Sequence, residues 1–299
     1  MRSKYFLLIL FIGLSTSVMS QLKQVNANAA VFNYTDNGSG EPIVFVHGAL
    51  EDYRTWDPQI DTFSKHFRII TYSRRFNFPN PNTDPIKNFS AETEAEDLAA
   101  FISQLKLGRA HLVGHSFGGL ISLYVAKKHP ELVRSLTLSE PGLISWLPYL
   151  DGGKVLYDEF NNNLWKPVKQ AFEMKDTIAV LRQTLIYFAG ADVLDQLPPE
   201  AKTQLMVNLS EWKAIAFSPQ PFSDFKKEYL KDIKVPVLLL SGGQTFPIMQ
   251  LINQELKNAL PRAQRYHLEE GTHDYWMTHP QQMGQAVLKF LQAQLKNKK

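Results

Sequence analysis

Ala110-His111-Leu112-Val113-Gly114-His115-Ser116-Phe117-Gly118-Gly119 joins two elements of different period. The apolar run 110–113 reads as a short strand. Leu120, Ile121, Tyr124 and Val125 then repeat at helix spacing. Between them stands G-x-S-x-G. A chain that reverses from strand to helix over a few residues packs its backbone tightly, and a side chain at either glycine would clash. The turn leaves Ser116 at a strand tip beside the first amides of a helix, which can stabilise a developing oxyanion.

A serine hydroxyl is a weak nucleophile at neutral pH, so the turn predicts a histidine base and an acid that orients it. The chain order for such a turn is Ser, then Asp/Glu, then His. Of the eight histidines, His47, His66, His111 and His115 precede Ser116. His129 ends the following helix, His267 lies in a strand pattern, and His279 precedes Pro280. His273 lies in the loop Glu269-Glu270-Gly271-Thr272-His273-Asp274 between the last strand and the final helix. A loop at a strand's C-terminal end can swing an imidazole over a neighbouring strand tip, so His273 is the candidate base.

The rest of the chain supports a layered α/β fold. Residues 21–30 read as a polar lead-in. Residues 31–48 hold two strand-like runs around Asp36-Asn37-Gly38-Ser39-Gly40, which predicts a hairpin turn there. Trp56, Ile60 and Phe63 share a helix face, and 67–72 is a strand. The Pro/Asn-rich stretch 78–85 is a loop. Ser90 is placed to cap a helix carrying Leu98, Phe101, Ile102 and Leu105. The helix after Ser116 ends in Lys127-Lys128-His129-Pro130, with cations at the negative end of its dipole and then a stop. Near-continuously apolar strands alternating with helices predict a mostly parallel central sheet covered on both faces, with ligands beyond the carboxyl ends of the strands.

Four stretches in order resemble the α/β-hydrolase superfamily: the run 38–48 ending His47-Gly48, the turn 114–119, the late strand 234–242, and Gly271-Thr272-His273 followed by His279-Pro280. The resemblance covers nearly all of the chain after residue 30. It implies an oxyanion hole built from the backbone amides of Ala49 and Phe117. His47, Gly48 and His115 flank these positions and are candidates to contact substrate. Two departures stand out. Many members carry the acid about where Thr245 stands, and Ser241-Gly242-Gly243-Gln244-Thr245-Phe246-Pro247 contains no carboxylate. Some members place it at the end of the preceding strand, and Leu136-Thr137-Leu138-Ser139-Glu140-Pro141 offers Glu140 there. Asp274, adjacent to His273, is poorly placed to reach back to that ring. The second departure is Thr71-Tyr72-Ser73-Arg74-Arg75-Phe76, where many relatives have Asp-x-Arg-Gly. Arg74 and Arg75 are expected to pair with loop carbonyls or carboxylates.

Strand–helix alternation stops between 141 and 230, a stretch rich in aromatic residues. The expected organisation is a core of 30–140 and 231–299 with a helical cap inserted at 141–230. In the family such caps set substrate choice, and Leu143, Trp146 and Phe188 are the candidate pocket contacts.

Composition excludes other classes. The chain has 299 residues, 44% hydrophobic and 20% charged, with net charge +3 and no cysteine. It is long enough for a full core and shows no basic patch that would suit nucleic acid. No metal-ligand spacing and no phosphate loop are present, so no cofactor is expected. Arg2 and Lys4 precede the apolar run 5–14, and small and polar residues follow to Ser20. This is the layout of a secretory signal peptide at 1–20, cleaved before Gln21. The apolar run is shorter than the roughly 20 residues of a spanning helix, so stable membrane insertion is not expected after its removal. The expected function is an exported serine hydrolase acting on a small-molecule carboxylic ester or lactone. The alternatives are a C–C bond hydrolase, a cofactor-free peracid-forming haloperoxidase, or a low-turnover binding protein on the same scaffold.

Overall fold

The computed structural model describes residues 21–81 and 89–296. The leader and part of the Pro/Asn-rich stretch lie outside the described residues. Eight strands form one sheet in the order β1-β2-β4-β3-β5-β6-β7-β8. They are β1 Lys23–Ala27, β2 Ala30–Gly38, β3 Pro42–Val46, β4 Arg68–Tyr72, β5 Ala110–His115, β6 Val133–Ser139, β7 Val237–Gly242 and β8 Gln264–Leu268. The pairs β1–β2 and β2–β4 are antiparallel, and every later pair is parallel. The mostly parallel sheet with helices on both faces is therefore the fold.

Side chains alternate across each strand, and this splits the core in two. Val44, Val46 and Leu112 face α2 (Ala91–Gln104) and α3 (Phe117–Lys128), whose Leu98, Phe101 and Leu120 belong to the same cluster. Ile43, Phe45, Val113, Leu238 and Leu240 face the other way. There they meet Trp56 and α1 (Asp57–Phe63), together with Met283, Val287 and Phe290 of the C-terminal helix Pro280–Lys296. Ser90 caps α2 as the sequence predicts, its Oγ accepting from Thr93 N at 3.1 Å.

The expected hairpin around residues 36–40 is corrected. β2 and β3 are not neighbours, because β4 enters between them. The hairpin lies earlier, in the stretch read as a polar lead-in: β1 pairs with β2 through the two-residue turn Asn28-Ala29, with Ala27 opposite Ala30. β1 is an edge strand whose Lys23, Gln24 and Asn26 are exposed, so it carries no apolar alternation to reveal it. Both turn residues have positive φ, 43° at Asn28 and 56° at Ala29. Two-residue hairpin turns favour this backbone, but alanine does not. Ala29→Gly is therefore expected to raise the unfolding free energy by about 1 kcal/mol, read by urea denaturation. A loss of that size would show that the left-handed backbone carries no strain.

Between β6 and β7 every described regular element is helical. The longer ones are α4 (Gly153–Phe160), α5 (Lys166–Glu173), α6 (Thr177–Ala189), α7 (Pro199–Val207) and α8 (Leu209–Phe217). β7 is followed by α9 (Pro247–Ala259).

Candidate active site

The carboxyl ends of β3, β5, β6 and β7 are aligned by register: Val46 lies opposite Gly114, His115 opposite Ser139, and Ser139 opposite Leu240. Ser116 follows β5 in the strained conformation φ 51°, ψ −116°. Neighbours fix it from both sides. Its N–H donates to Ser139 O at 2.8 Å, and its carbonyl accepts from Gly142 N at 2.9 Å and Gly119 N at 3.0 Å. Gly114 and Gly118 are required by close approach. A Cβ on Gly114 would lie 2.5 Å from Gly118 O, and one on Gly118 would lie 2.2 Å from Val46 O. The second contact sets the start of α3 beside the turn that follows β3.

Glu140 directly follows β6, with φ 46° and a fully buried side chain. Four donors saturate its carboxylate. Gly242 N (2.8 Å) and Asn253 Nδ2 (3.1 Å) reach Oε1, while Thr245 Oγ1 (2.6 Å) and His273 Nδ1 (2.6 Å) reach Oε2. Burial pushes its pKa up, but the His273 bond and charge, with the Gly242 amide and the Thr245 hydroxyl, outweigh burial and hold it below the ordinary carboxylate range. Thr245, which stands about where many members of the superfamily carry the acid, donates to the Glu140 carboxylate. Because Nδ1 donates to Glu140, the lone pair of a neutral His273 is on Nε2.

The turn after β3 is braced by buried charge. Arg74, fully buried, donates from Nη2 to Gly48 O (2.9 Å) and to Glu211 Oε1 (2.6 Å). The other Glu211 oxygen accepts from Leu50 N at 2.8 Å. Glu211 lies on α8, so the helical insertion reaches into this turn. Gly48 N donates to Glu51 Oε2 at 2.9 Å. Among the described residues the amides of Ala49 and Phe117 have no protein acceptor, whereas those of Gly48 and Leu50 on either side of Ala49 do. As the sequence suggested, both arginines pair with protein groups: Arg75 binds Asp97 at 2.5 Å.

The proposed substrate contacts are placed unevenly. His47 is buried, and both ring nitrogens are spent: Nε2 accepts from Arg74 N at 3.0 Å, so Nδ1 donates to Gly48 O at 2.8 Å. Burial, reinforced by the Arg74 charge, drives its pKa down to about 3, so the ring is neutral at neutral pH. Gly48 is buried with its amide and carbonyl both paired. Leu143 is fully buried, and Trp146 donates its indole N–H to Phe225 O at 2.6 Å. Both belong to the apolar core that includes residues of the helical insertion. Phe188 is half-buried, its ring is 5.1 Å from Phe246, and Phe246 is 5.3 Å from His273. Sequence reasoning missed Phe246, although it follows the loop where the acid was sought. It also missed Asn253 and Glu211, whose roles depend on contacts far along the chain.

A cleft of about 470 Å³ opens between Ser90, Tyr124, Gln220 and Lys226, and none of Ser116, Glu140 and His273 lines it. A smaller cavity of about 130 Å³ lies among Ile144, Phe160, Trp165 and Phe222. Phe222 packs edge-on to Phe117 at 5.6 Å, so this cavity, which Asn161, Lys169 and Ser218 also line, adjoins the start of α3. Among the described residues no helix is long and apolar enough to cross a membrane, and no cluster of His, Cys, Asp and Glu could hold a metal ion.

A family model described as alpha/beta hydrolase fold matches residues 41–280. Among curated relatives, an (E)-2-((N-methylformamido)methylene)succinate hydrolase of Acinetobacter baylyi is 30% identical over 125 residues, covering 40% of this chain and 45% of that one. The solved enol-lactonase from Burkholderia xenovorans LB400 superposes with TM-score 0.71 at 20% identity, covering 90% of this chain and 100% of that one. A thermophilic esterase from Thermogutta terrifontis superposes with TM-score 0.70 at 20% identity, covering 92% of this chain and 99% of that one.

Proposed function

Since the chain belongs to the alpha/beta hydrolase family, we propose that it is an exported serine hydrolase that cleaves a small to medium apolar carboxylic ester or lactone through an acyl-enzyme on Ser116. The observation that carries this reading is the 2.6 Å bond from His273 Nδ1 to Glu140 Oε2, across 133 residues of chain. With Nδ1 donating to Glu140, the lone pair of the neutral ring lies on Nε2, the nitrogen this reading assigns to the Ser116 proton. His273 takes the Ser116 proton as Oγ attacks the carbonyl. The oxyanion is met by the amides of Ala49 and Phe117. Collapse of the tetrahedral adduct expels the alkoxide, which takes the proton from His273. Water, activated by the same ring, then releases the acid and frees Ser116. Ester and lactone names among structural neighbours agree with this chemistry. The aromatic rim of Phe188 and Phe246 beside His273 favours an apolar group.

The binding-protein alternative drew on the missing acid near Thr245. The 2.6 Å contact of Glu140 with His273 supports the hydrolase reading over that alternative. Labelling of the purified protein by a serine-directed fluorophosphonate, followed by a screen of short and medium acyl esters and lactones, tests the reading. An unlabelled wild-type protein would overturn it.

Export rests on the leader sequence at 1–20. N-terminal sequencing of the protein recovered from its native cells is expected to begin at Gln21. A start at Met1 in a soluble cell extract would refute export.

A further inference from the structure

His115, the residue before Ser116, joins three pieces of the site. Its Nδ1 lies 3.2 Å from Glu51 Oε1, and its Nε2 lies 3.1 Å from the backbone carbonyl of His273. The other Glu51 oxygen accepts from Gly48 N at 2.9 Å. A carbonyl only accepts, and so does an ionised carboxylate. A neutral imidazole has one N–H and could serve only one of these partners, leaving a lone pair facing oxygen at the other. Both contacts are hydrogen bonds only when the ring carries two protons.

We propose that His115 is a positioning residue held as an imidazolium, whose two N–H groups fasten the loop of His273 to the turn that carries Ala49. The inference rests on the serine-hydrolase reading for its effect on turnover, though not for its protonation.

The charged and titratable groups around the ring fit this state. Glu51 comes from the turn after β3, Glu140 from the end of β6, and Asp274 from the loop after β8. The His273 ring is 4.7 Å away and the Tyr275 ring 6.3 Å. His47, which also acts on Glu51, is neutral because both its nitrogens are spent. Burial opposes the charged ring, but Glu51, Asp274 and Glu140 outweigh it and raise the His115 pKa above the ordinary imidazole value. Burial likewise opposes the Glu51 carboxylate, yet the His115 charge and hydrogen bond, with the Gly48 amide, hold its pKa below the ordinary carboxylate value. When pH rises past the His115 pKa one bond is lost, and the His273 loop and the Ala49 turn are no longer tied.

The test is ¹⁵N NMR of the imidazoles in the full mature protein, assigned by the signals lost in His115→Gln or displaced in Glu51→Gln. Both His115 nitrogens are expected to be protonated at neutral pH. An unprotonated nitrogen there in the wild type overturns the inference. In kinetics, His115→Gln is expected to lower kcat about 10- to 100-fold with KM little changed, because the cost is one of alignment. Its profile should lack the alkaline fall that His115 causes. In Glu51→Gln that fall should move to lower pH, since removing the carboxylate weakens the ring's hold on its second proton. An unmoved alkaline limb overturns the kinetic part. A wild type that resists fluorophosphonate would sink the hydrolase reading, while the NMR result would stand on its own.

Discussion

Ser116→Ala is expected to lower turnover of an activated ester by about 10⁴- to 10⁶-fold and to abolish fluorophosphonate labelling. That range corresponds to about 5–8 kcal/mol of transition-state stabilisation. It is large because, in the proposed mechanism, the hydroxyl forms the acyl bond itself. The substitution leaves the rest of the turn in place. Alanine keeps the φ of 51°, the bonds from Ser116 N and to Ser116 O involve only backbone, and Gly114 and Gly118 are unchanged. Stability should therefore change little, and a residual rate from oriented amides should survive. Near-full activity in Ser116→Ala would mean that another group attacks the substrate.

Glu140→Gln is expected to cost about 10³- to 10⁴-fold in turnover with the fold intact. The reason is the tautomer. A glutamine can offer its oxygen to Gly242 N and Asn253 Nδ2 only by turning its NH₂ toward Thr245 and His273. His273 must then accept at Nδ1, which moves its proton to Nε2 and removes the base. Labelling should slow in step with hydrolysis. Unchanged turnover would remove Glu140 from the mechanism and leave the family assignment untouched. The same exchange has a stability signature. The Glu140 pKa is depressed on folding below 4.5, so its ionisation stabilises the fold fully above that value. The contribution is lost as pH falls through the folded pKa. The wild-type advantage over Glu140→Gln should therefore shrink on acidification, as read by denaturant titration at several pH values.

What the sequence disclosed was local or repeated. The turn at Ser116 is legible because its glycines are demanded by backbone clashes within a few residues. Glu140 is legible because a parallel strand's carboxyl end is a defined place. The hairpin was misplaced because strand order is a long-range property. β2 and β3 are neighbours in sequence, yet β4 separates them in the sheet. β1 escaped notice because an exposed edge strand needs no apolar alternation. The partner of Trp146 was not legible, because its N–H is bound to Phe225 O, 79 residues along the chain. No pattern in the chain could pair Arg74 with Glu211, since they lie 137 residues apart.

That last pair limits how the protein can be re-engineered. Exchanging the helical insertion for one from a relative is an obvious route to new selectivity. A graft lacking a carboxylate at position 211 would strip Arg74 of its 2.6 Å partner and leave Leu50 N without its acceptor. Glu94, at 3.5 Å, would be the remaining acidic neighbour of a fully buried guanidinium. Breaking a buried ion pair by removing one member costs about 3–5 kcal/mol. Chimeras should therefore carry Glu211 across with the core, as if one residue of the insertion belonged to the chassis on which it is mounted.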